Sequence, residues 1–199
     1  NAGIYFFKRK IFKDKIKKIS LEDEIIPKLI MKKKLYGIKL NGNFIDIGLY
    51  KNINIAKNLL KKFKKPGIFL DRDGVLFKDL GYIHSLKRVL WTKNIFKILK
   101  KFKKYWIFIV TNQAGIARGY FSEKKFLNFQ KKIKTIFIKN NIYINDVQYC
   151  PHHPSKGKGL YKKKCSCRKP NNKMIKNIFK NWQIDKKKSF FIGDRDTDG

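Results

Sequence analysis

The stretch Gly67-Ile-Phe-Leu-Asp-Arg-Asp-Gly74 decides the fold, because a short apolar run passes directly into two aspartates. Short apolar runs that end in polar turn residues are typical of buried strands. A second stretch of the same form, Phe190-Phe-Ile-Gly-Asp-Arg-Asp-Thr-Asp198, occurs later in the chain. Two strands that each lead into aspartates predict an acidic cluster where their carboxyl ends meet.

Strand and helix patterns alternate between these two stretches. Four strands are predicted, at residues 67–70, 106–110, 146–149 and 189–192. Helices are predicted around residues 95–102, after a capping serine at Ser122, and from Pro170 onward. This alternation predicts an α/β fold, a parallel sheet with helices on both faces, in which ligands bind at the carboxyl ends of the strands.

A charged segment that ends in a Pro-Gly breaker, Lys64-Lys-Pro-Gly67, divides the chain. We therefore predict two domains, a small α/β fragment at residues 1–65 and the sheet domain at residues 67–199. Hydrophobic residues make up 43% of the chain, enough to bury a core, which excludes a disordered protein. The longest apolar run, residues 105–110, is far shorter than the ~20 residues of a membrane span, so we expect no membrane partner.

The chain carries a formal net charge of +35, from 49 lysines and arginines against 14 acidic residues. Such a charge is typical of nucleic-acid-binding proteins. The lysines, however, are spread along the whole chain, and the other abundant residues, isoleucine, asparagine, phenylalanine and tyrosine, share A/T-rich codons with lysine. We therefore interpret the charge as a solvated surface shaped by genome composition, and we expect no nucleic-acid partner.

Aspartates gather in two clusters, although acidic residues are scarce in the chain. Asp71 and Asp73 follow the first predicted strand, and Asp194, Asp196 and Asp198 follow the last. Like charges at one edge of a sheet repel unless a cation lies between them, and carboxylate oxygens suit Mg²⁺. We predict a magnesium site at this edge. The alternative is a pair of ordinary aspartate-rich turns.

The predicted strand at residues 106–110 leads into Thr111-Asn-Gln-Ala-Gly-Ile-Ala-Arg-Gly119. Hydroxyl and backbone N–H groups at a strand end bind phosphoryl oxygens, and glycines let the backbone approach closely. Arginine suits bidentate phosphate recognition, and four of the six arginines lie within or beside these motifs: Arg72, Arg118, Arg168 and Arg195. These features predict that the same edge binds phosphate.

All three cysteines and two of the three histidines lie within 18 residues of one another. Cys150, His152, Cys165 and Cys167 make a Cys₃His set, which is typical of a closed, tetrahedral structural Zn²⁺ site. The segment between them is rich in glycine and lysine and has no core pattern, so a metal would be its main source of order. His153 is an alternative to His152 as the fourth ligand.

The segment 67–199 resembles the haloacid-dehalogenase-superfamily phosphatases, whose four motifs match, in order, Asp71-Arg-Asp-Gly74, Thr111-Asn112, Lys169 and Gly193-Asp194. The cysteine motifs are similar to those of the zinc-loop branch, which includes heptose-bisphosphate and histidinol-phosphate phosphatases. Gly81-Tyr-Ile-His84 and Asn112-Gln-Ala-Gly-Ile-Ala-Arg-Gly119 resemble the heptose group. The final Gly-Asp-Arg motif is also similar to the histidinol group.

The resemblance implies a Rossmann-like fold shortened at its carboxyl end, and Mg²⁺-dependent phosphomonoester hydrolysis through an aspartyl-phosphate. In the heptose group the reaction removes the 7-phosphate of D-glycero-D-manno-heptose 1,7-bisphosphate. Asp71 would be the nucleophile and Asp73 the general acid and base. Thr111 and Lys169 would bind the transferring phosphoryl group.

The resemblance also assigns ligands for the metal and the substrate. Mg²⁺ would be held by Asp71, by the backbone carbonyl of Asp73 and by Asp194, with Asp198 in support. The phosphorylated sugar would contact a larger set of residues in three loops: Asp79, Leu80, Gly81, Tyr82, Asn112, Gln113, Ala114, Arg168 and Arg195. Zn²⁺ would be structural and Mg²⁺ catalytic.

Residues 1–65 resemble the carboxyl-terminal part of sugar-1-phosphate nucleotidyltransferases. Three stretches carry the resemblance: Asn1-Ala-Gly-Ile-Tyr5, Ser20-Leu-Glu-Asp-Glu-Ile-Ile-Pro27 and Phe44-Ile-Asp-Ile-Gly48. Asp46 would match a Mg²⁺ ligand of that family. The glycine-rich nucleotide loop is missing, so we expect this part to be inactive. The alternative is an ordinary lysine-rich α/β segment. A fused heptose nucleotidyltransferase would act downstream of the phosphatase, and a GDP-heptose route would favour the α anomer as substrate.

We expect a cytoplasmic monomer that acts on a phosphorylated sugar in ADP- or GDP-heptose and surface-polysaccharide biosynthesis. Three alternatives stay open at the level of sequence. The first is a histidinol-phosphate phosphatase, the second a basic, zinc-stabilised nucleic-acid-binding protein, and the third a non-catalytic remnant of the family.

Overall fold

The computed structural model describes residues 3–12, 19–39 and 44–198. Two compact units form, Asn1–Ala56 and Lys57–Gly199. The division between them falls within the helix Tyr50–Lys62, earlier in the chain than the boundary predicted at the Pro-Gly breaker. Within the described residues, no helix combines the length and the apolar character needed to cross a bilayer.

The first unit is built from helical turns. It contains a 3₁₀ turn at Arg9–Phe12 and a π-helical turn at Leu21–Ile25, which is capped by Ser20. Helix α1, Ile26–Met31, follows directly. All the strands of the described residues lie in the second unit, so the α/β pattern expected for residues 1–65 is not found in the described part of that segment. Asn1 and Ala2, which belong to the nucleotidyltransferase resemblance, lie outside the described residues.

The second unit contains a four-stranded parallel sheet in the spatial order β3-β2-β1-β4. Its strands are β1 Gly67–Leu70, β2 Trp106–Asn112, β3 Asp146–Cys150 and β4 Phe190–Ile192. Helix α2, Tyr50–Lys62, contains the division between the units, and the other helices of the second unit are α3 Ile95–Lys100, α4 Ala114–Ala117, α5 Glu123–Lys139 and α6 Lys173–Asn181. Leu70 of β1 pairs with Ile109 of β2 and Ile192 of β4. The predicted parallel sheet is confirmed, and its strands end at one edge.

Alternate residues of the central strands β1 and β2 face opposite sides of the sheet, as the two-residue period of a strand requires. One face packs against α3 and α5 through the strand residues Ile68, Leu70, Ile107 and Ile109. The other face packs against α6 through Phe69, Phe108 and Val110. Both faces are covered, and residues 68–70 of β1 and 106–110 of β2 are all apolar, which is typical of parallel sheets.

The starts of α5 and α6 compare differently with the sequence prediction. The Ser122 hydroxyl caps α5, as predicted, by accepting the Lys125 N–H at 3.2 Å. Helix α6 begins at Lys173 rather than at Pro170. The Asn171 N–H donates to the Arg168 carbonyl at 2.9 Å, so Pro170 lies inside a turn that precedes the helix.

Phe137 and Ile138 are neighbours on α5 in opposite environments: Phe137 is fully buried, whereas Ile138 is 49% exposed. Replacing Phe137 by Ala should lower the free energy of unfolding by about 3–5 kcal/mol, because the lost ring leaves a cavity beside Trp91 and Phe96. The control Ile138→Ala should lower it by less than about 1 kcal/mol. Urea unfolding followed by circular dichroism measures both, and equal effects would contradict this packing of α5.

Candidate active site

Three strand ends bring polar residues to one edge of the sheet. Asp71 follows β1, Thr111 lies near the end of β2, and Asp194 follows β4 after Gly193. Because β1 lies between β2 and β4, the residues after β1 are flanked on both sides. Lys169 arrives from the segment before α6 and contacts Asp71. The parallel order therefore brings together the four motifs that the sequence analysis singled out.

Asp71 is held rigidly at the end of β1. Its N–H donates to the Ile192 carbonyl at 2.9 Å, which extends the β1–β4 ladder by one bond. Its Oδ1 accepts the Arg72 N–H at 2.7 Å and lies 3.0 Å from the Lys169 ammonium. Burial raises the pKa of Asp71 above its usual range, and the Lys169 ammonium opposes this rise. The carboxyl is thus oriented by fixed partners.

Asp71, Asp194 and Asp198 form an acidic group whose carboxylate oxygens lie within 4.8 Å of one another. The Lys169 ammonium contacts Asp198 as well as Asp71. One ammonium that contacts two of three neighbouring carboxylates leaves an excess of negative charge, which favours a further cation. The Asp73 carboxylate is not a member of this group, so only the backbone carbonyl of Asp73 corresponds to the predicted ligand.

Two glycines make room for these carboxylates. Gly74 has a left-handed backbone with φ +92°, and a Cβ there would overlap the Asp194 carboxylate. A Cβ at Gly193 would overlap the side chain of Asp198. The acidic group therefore depends on the absence of a side chain at both positions. Both glycines belong to the sequence motifs quoted above, but the motifs alone do not indicate this role.

The Asp73 carboxylate points into a network of donors. Arg72 bonds to both of its oxygens, at 2.8–3.0 Å. The Gln113 amide donates to Asp73 and also to the Thr111 hydroxyl, each at 2.9 Å. Arg72 itself is fully buried, so it cannot bind a solvent-borne phosphate, which corrects the expectation drawn from the arginine positions.

The predicted Cys₃His set is brought together at the end of β3. The three sulfurs lie 3.1–3.3 Å apart, and the His152 Nδ1 lies 3.4 Å from the Cys167 sulfur and 3.8 Å from that of Cys150. All three cysteines are free thiols. His153 points away, and its Nδ1 faces the backbone N–H groups of residues 155 and 156. The soft sulfur and imidazole donors match the chemistry of a structural zinc site.

Asn112 and Arg168 help to place Lys169. The Asn112 side chain accepts the Lys169 N–H at 3.0 Å and donates to the Lys169 carbonyl at 3.2 Å. The Arg168 guanidinium donates to the His152 carbonyl at 3.2 Å. The backbone of Lys169 is thus tethered to β2, and its neighbour to the cysteine-containing segment. Asn112, expected to contact the sugar, uses both polar ends of its side chain on Lys169.

The loop after β1 carries the other residues expected to contact the sugar. Asp79 pairs with Arg195 at 2.5 Å, which links this loop to the segment after β4. Tyr82 packs against the ring of Tyr120 and lies 5.5 Å from the Arg118 guanidinium. The remaining members of the predicted set are close by in sequence: Leu80 and Gly81 in this loop, and buried Gln113 and half-buried Ala114 at the start of α4.

Glu123 was missed by the sequence analysis. As the first residue of α5, its carboxylate accepts the hydroxyl of Tyr149 on β3 at 2.7 Å and that of Tyr161 at 2.8 Å. Burial and this carboxylate together raise the pKa of Tyr149. Glu123 therefore ties the cysteine-containing segment to the sheet. An acidic residue at the start of a helix is common, so the sequence offered no signal for this contact.

Comparison with known proteins identifies the family. A family model described as Polynucleotide kinase 3 phosphatase matches residues 80–197. A solved structure from Mesorhizobium loti, described as a had-like phosphatase, superposes with a TM-score of 0.62 at 27% identity, over 68% of this chain and 66% of that one. The chain belongs to the haloacid-dehalogenase-like phosphatases.

Relatives within this phosphatase family carry more specific names. The chain is 41% identical over 133 residues to a D-glycero-beta-D-manno-heptose-1,7-bisphosphate 7-phosphatase of Haemophilus influenzae, covering 66% of this chain and 72% of that one. It is 39% identical over 132 residues to a corresponding alpha-anomer enzyme of Photorhabdus laumondii, covering 65% and 72%. A D,D-heptose 1,7-bisphosphate phosphatase from B. bronchiseptica, complexed with magnesium and phosphate, superposes with a TM-score of 0.52 at 25% identity, covering 60% and 65%.

Gly74 and Gly159 both have left-handed backbones, but a Cβ at Gly159 would meet nothing within 4 Å. Gly74→Ala should lower kcat/KM for p-nitrophenyl phosphate by at least about 10-fold, because the new Cβ forces Asp194 to move. This fall corresponds to a loss of about 1.4 kcal/mol of transition-state stabilisation. The control Gly159→Ala carries a similar backbone strain of about 1–2 kcal/mol and should leave kcat/KM nearly unchanged. Steady-state kinetics measures both, and equal losses would contradict the specific overlap at Gly74.

Proposed function

We propose that this chain is a phosphatase that removes the 7-phosphate of D-glycero-D-manno-heptose 1,7-bisphosphate. The observation that carries the proposal is the meeting of Asp71, Lys169 and Asp194 at one sheet edge. It is supported by relatives at about 40% identity whose names state this reaction. The product would enter heptose and surface-polysaccharide biosynthesis.

Asp71 would act as the nucleophile. Because Lys169 and the Arg72 N–H both lie against Oδ1, we assign the attack to Oδ2. The bond between Oδ2 and phosphorus forms as the bond from phosphorus to the sugar oxygen breaks, and Asp73 gives its proton to that oxygen. Water then attacks phosphorus, Asp73 takes one of its protons, and the bond to Asp71 breaks to release inorganic phosphate.

The phosphoryl group would be bound by Thr111 and Lys169. The Thr111 hydroxyl is almost fully buried and is held by the Gln113 amide at 2.9 Å. The Lys169 ammonium is fixed by Asp71 and Asp198 on one side and by the Asn112 tether on the backbone. Donors that are held in place before the reaction stabilise charge that develops on the transferring oxygens.

Mg²⁺ fits the acidic group, because the donors are hard carboxylate oxygens and a Cβ at Gly74 would fill part of the space beside them. Asp71, Asp194 and the backbone carbonyl of Asp73 would hold the ion, with Asp198 in support. When bound, Mg²⁺ offsets the charge that arises as a carboxylate meets a phosphate.

The sugar and its second phosphate would lie over the loop after β1 and the start of α4. The Asp79–Arg195 pair supports this placement, because it joins two loops at the same edge as Asp71. Leu80, Gly81, Tyr82, Gln113, Ala114 and Arg168 complete the proposed contacts, and Asn112 contributes by holding Lys169. The relatives named for the two anomers are almost equally similar, so both anomers belong in the test.

We also propose that Cys150, His152, Cys165 and Cys167 hold a structural Zn²⁺. The short separations of their donor atoms and the absence of a disulfide among them support this assignment. The ion would join the end of β3 to the segment that carries Lys169, so its role would be to keep that ammonium in place.

Residues 1–65 are proposed to be an inactive fragment of a nucleotidyltransferase-like domain, in the arrangement of a fusion protein. The carboxylate of Asp46 accepts the Gly48 N–H at 2.8 Å, which is ordinary turn chemistry.

A cytoplasmic, monomeric enzyme remains our expectation for the whole protein. A polynucleotide 3′-phosphatase is the second candidate function, favoured by the description of the matching family model.

Phosphate release by the intact protein tests the proposed substrate. Heptose 1,7-bisphosphate, as either anomer, should be hydrolysed with a kcat/KM at least about 100-fold above those for histidinol phosphate and a 3′-phosphorylated oligonucleotide, a difference of about 2.8 kcal/mol. Asp71→Asn should abolish release, whereas Asp185→Asn, at the opposite end of β4, should not change it. A preference for either competing substrate would overturn the assignment.

Zinc removal should affect stability and activity together. Cys167→Ser should lose bound zinc, lower the melting temperature and reduce phosphatase activity, because Lys169 lies only two residues away in the chain. His153→Ala is the matched control and should keep zinc, since its ring points away from the cluster. Metal analysis by mass spectrometry and thermal unfolding measure both variants. Equal zinc content in wild type and Cys167→Ser would refute the proposed site.

A further inference from the structure

Arg72 is a fully buried cation whose role the mechanism above does not assign. Its guanidinium carbon lies 5.5 Å from the centres of three aromatic rings, those of Phe77, Phe126 and Phe129. Its Nη1 is buried and has no hydrogen-bond partner among the described residues. Burying a charge is costly unless it is paired. The group that pairs with the Arg72 guanidinium therefore indicates the role of this residue.

The pairing is with Asp73, through the opposite side of the guanidinium. The Arg72 Nε donates to Asp73 Oδ2 at 3.0 Å, and Nη2 lies 2.8 Å from Oδ2 and 2.9 Å from Oδ1. Nη2 also donates to the Ile83 carbonyl at 2.9 Å, in the loop that carries the proposed sugar contacts. The three rings hold the Arg72 guanidinium in place, and the guanidinium in turn holds the Asp73 carboxylate through its hydrogen bonds.

The two oxygens of Asp73 are held unequally. Oδ2 faces Arg72 Nε, Arg72 Nη2 and the Gln113 amide, whereas Oδ1 faces Arg72 Nη2 within the described residues. Donors crowded around Oδ2 leave no room for a proton there, because a protonated oxygen would point its hydrogen at another hydrogen. The proton that Asp73 gives and takes thus belongs on Oδ1.

We propose that Arg72 is a positioning residue that directs the Oδ1 of Asp73 toward the leaving oxygen of the substrate. The inference rests on the proposed function of Asp73 as general acid and base. Arg72 touches no substrate atom and acts through Asp73 alone. Asp73 gives one proton to the departing oxygen and takes one from water, so the residue returns to its starting state in each turnover.

This role has a consequence that simple packing lacks. A leaving group that is stable as an anion departs without a proton, whereas an alkoxide needs one. Loss of Arg72 should therefore reduce the cleavage of an alkyl phosphate much more than that of p-nitrophenyl phosphate. General acid catalysis is worth about 10²–10⁴-fold, which sets the scale of the difference.

The experiment compares kcat/KM for p-nitrophenyl, phenyl and methyl phosphate in the intact protein and in Arg72→Met and Arg72→Lys. The ratio of kcat/KM for methyl phosphate to that for p-nitrophenyl phosphate should fall about 100-fold in Arg72→Met. It should fall by less in Arg72→Lys, which keeps the positive charge but cannot bond to both oxygens of Asp73 as the guanidinium does. Because both substrates are assayed on the same preparation, any unfolded fraction cancels in the ratio. An unchanged ratio would overturn the proposal.

Two controls separate the possible causes. Arg88→Met removes a different arginine that donates to a carbonyl of the same loop, that of Leu80 at 2.8 Å, and should leave the ratio unchanged. In an Asp73→Asn background, Arg72→Met should have no further effect on the ratio, since coupled residues are not additive. None of the three probes is a heptose, so a failed heptose assignment would show in the substrate test and not here.

Discussion

The mutual repulsion of three carboxylates is the constraint on which the rest of this structure depends. Asp71, Asp194 and Asp198 meet at one sheet edge because β1 and β4 are parallel neighbours. Asp71 is buried and Asp198 is partly buried, which makes their charges costly, and the Lys169 ammonium from a different segment contacts both. The tethers of that segment to Asn112 and to the cysteine cluster follow from this need, because an unplaced lysine would not offset the charge.

Much of this arrangement was predictable from the sequence, because each element carries a local signal. The apolar runs of β1 and β4 end directly in aspartates, so the strands and their outcome are visible together. The parallel order then forces the strand ends to meet, whatever the details of packing. The Cys₃His set was also predictable, because soft donors are rare in this chain and lie close together.

The contacts that the sequence could not predict depend on side-chain direction. Nothing in the motif around Arg72 tells whether the guanidinium turns toward solvent or into a cage of phenylalanines contributed by distant segments. Asn112 holds a backbone far along the chain, and Glu123 collects two tyrosines from different segments. The start of α6 was misplaced for a related reason: Pro170 suits a helix start and a turn equally, and the Arg168–Asn171 hydrogen bond selects the turn.

Strand β3 lies at the outside of the sheet, apart from the strand that leads into Asp71. The nucleophile follows β1, and β2 separates it from β3. The cysteine-containing segment leaves from β3, so its stretch between His153 and Lys164 can lengthen, shorten or change its composition while Asp71 and Lys169 stay where they are. This part of the molecule can therefore change in sequence and length without displacing the Asp71 carboxylate. One hydrolytic centre can in this way serve a range of phosphorylated molecules.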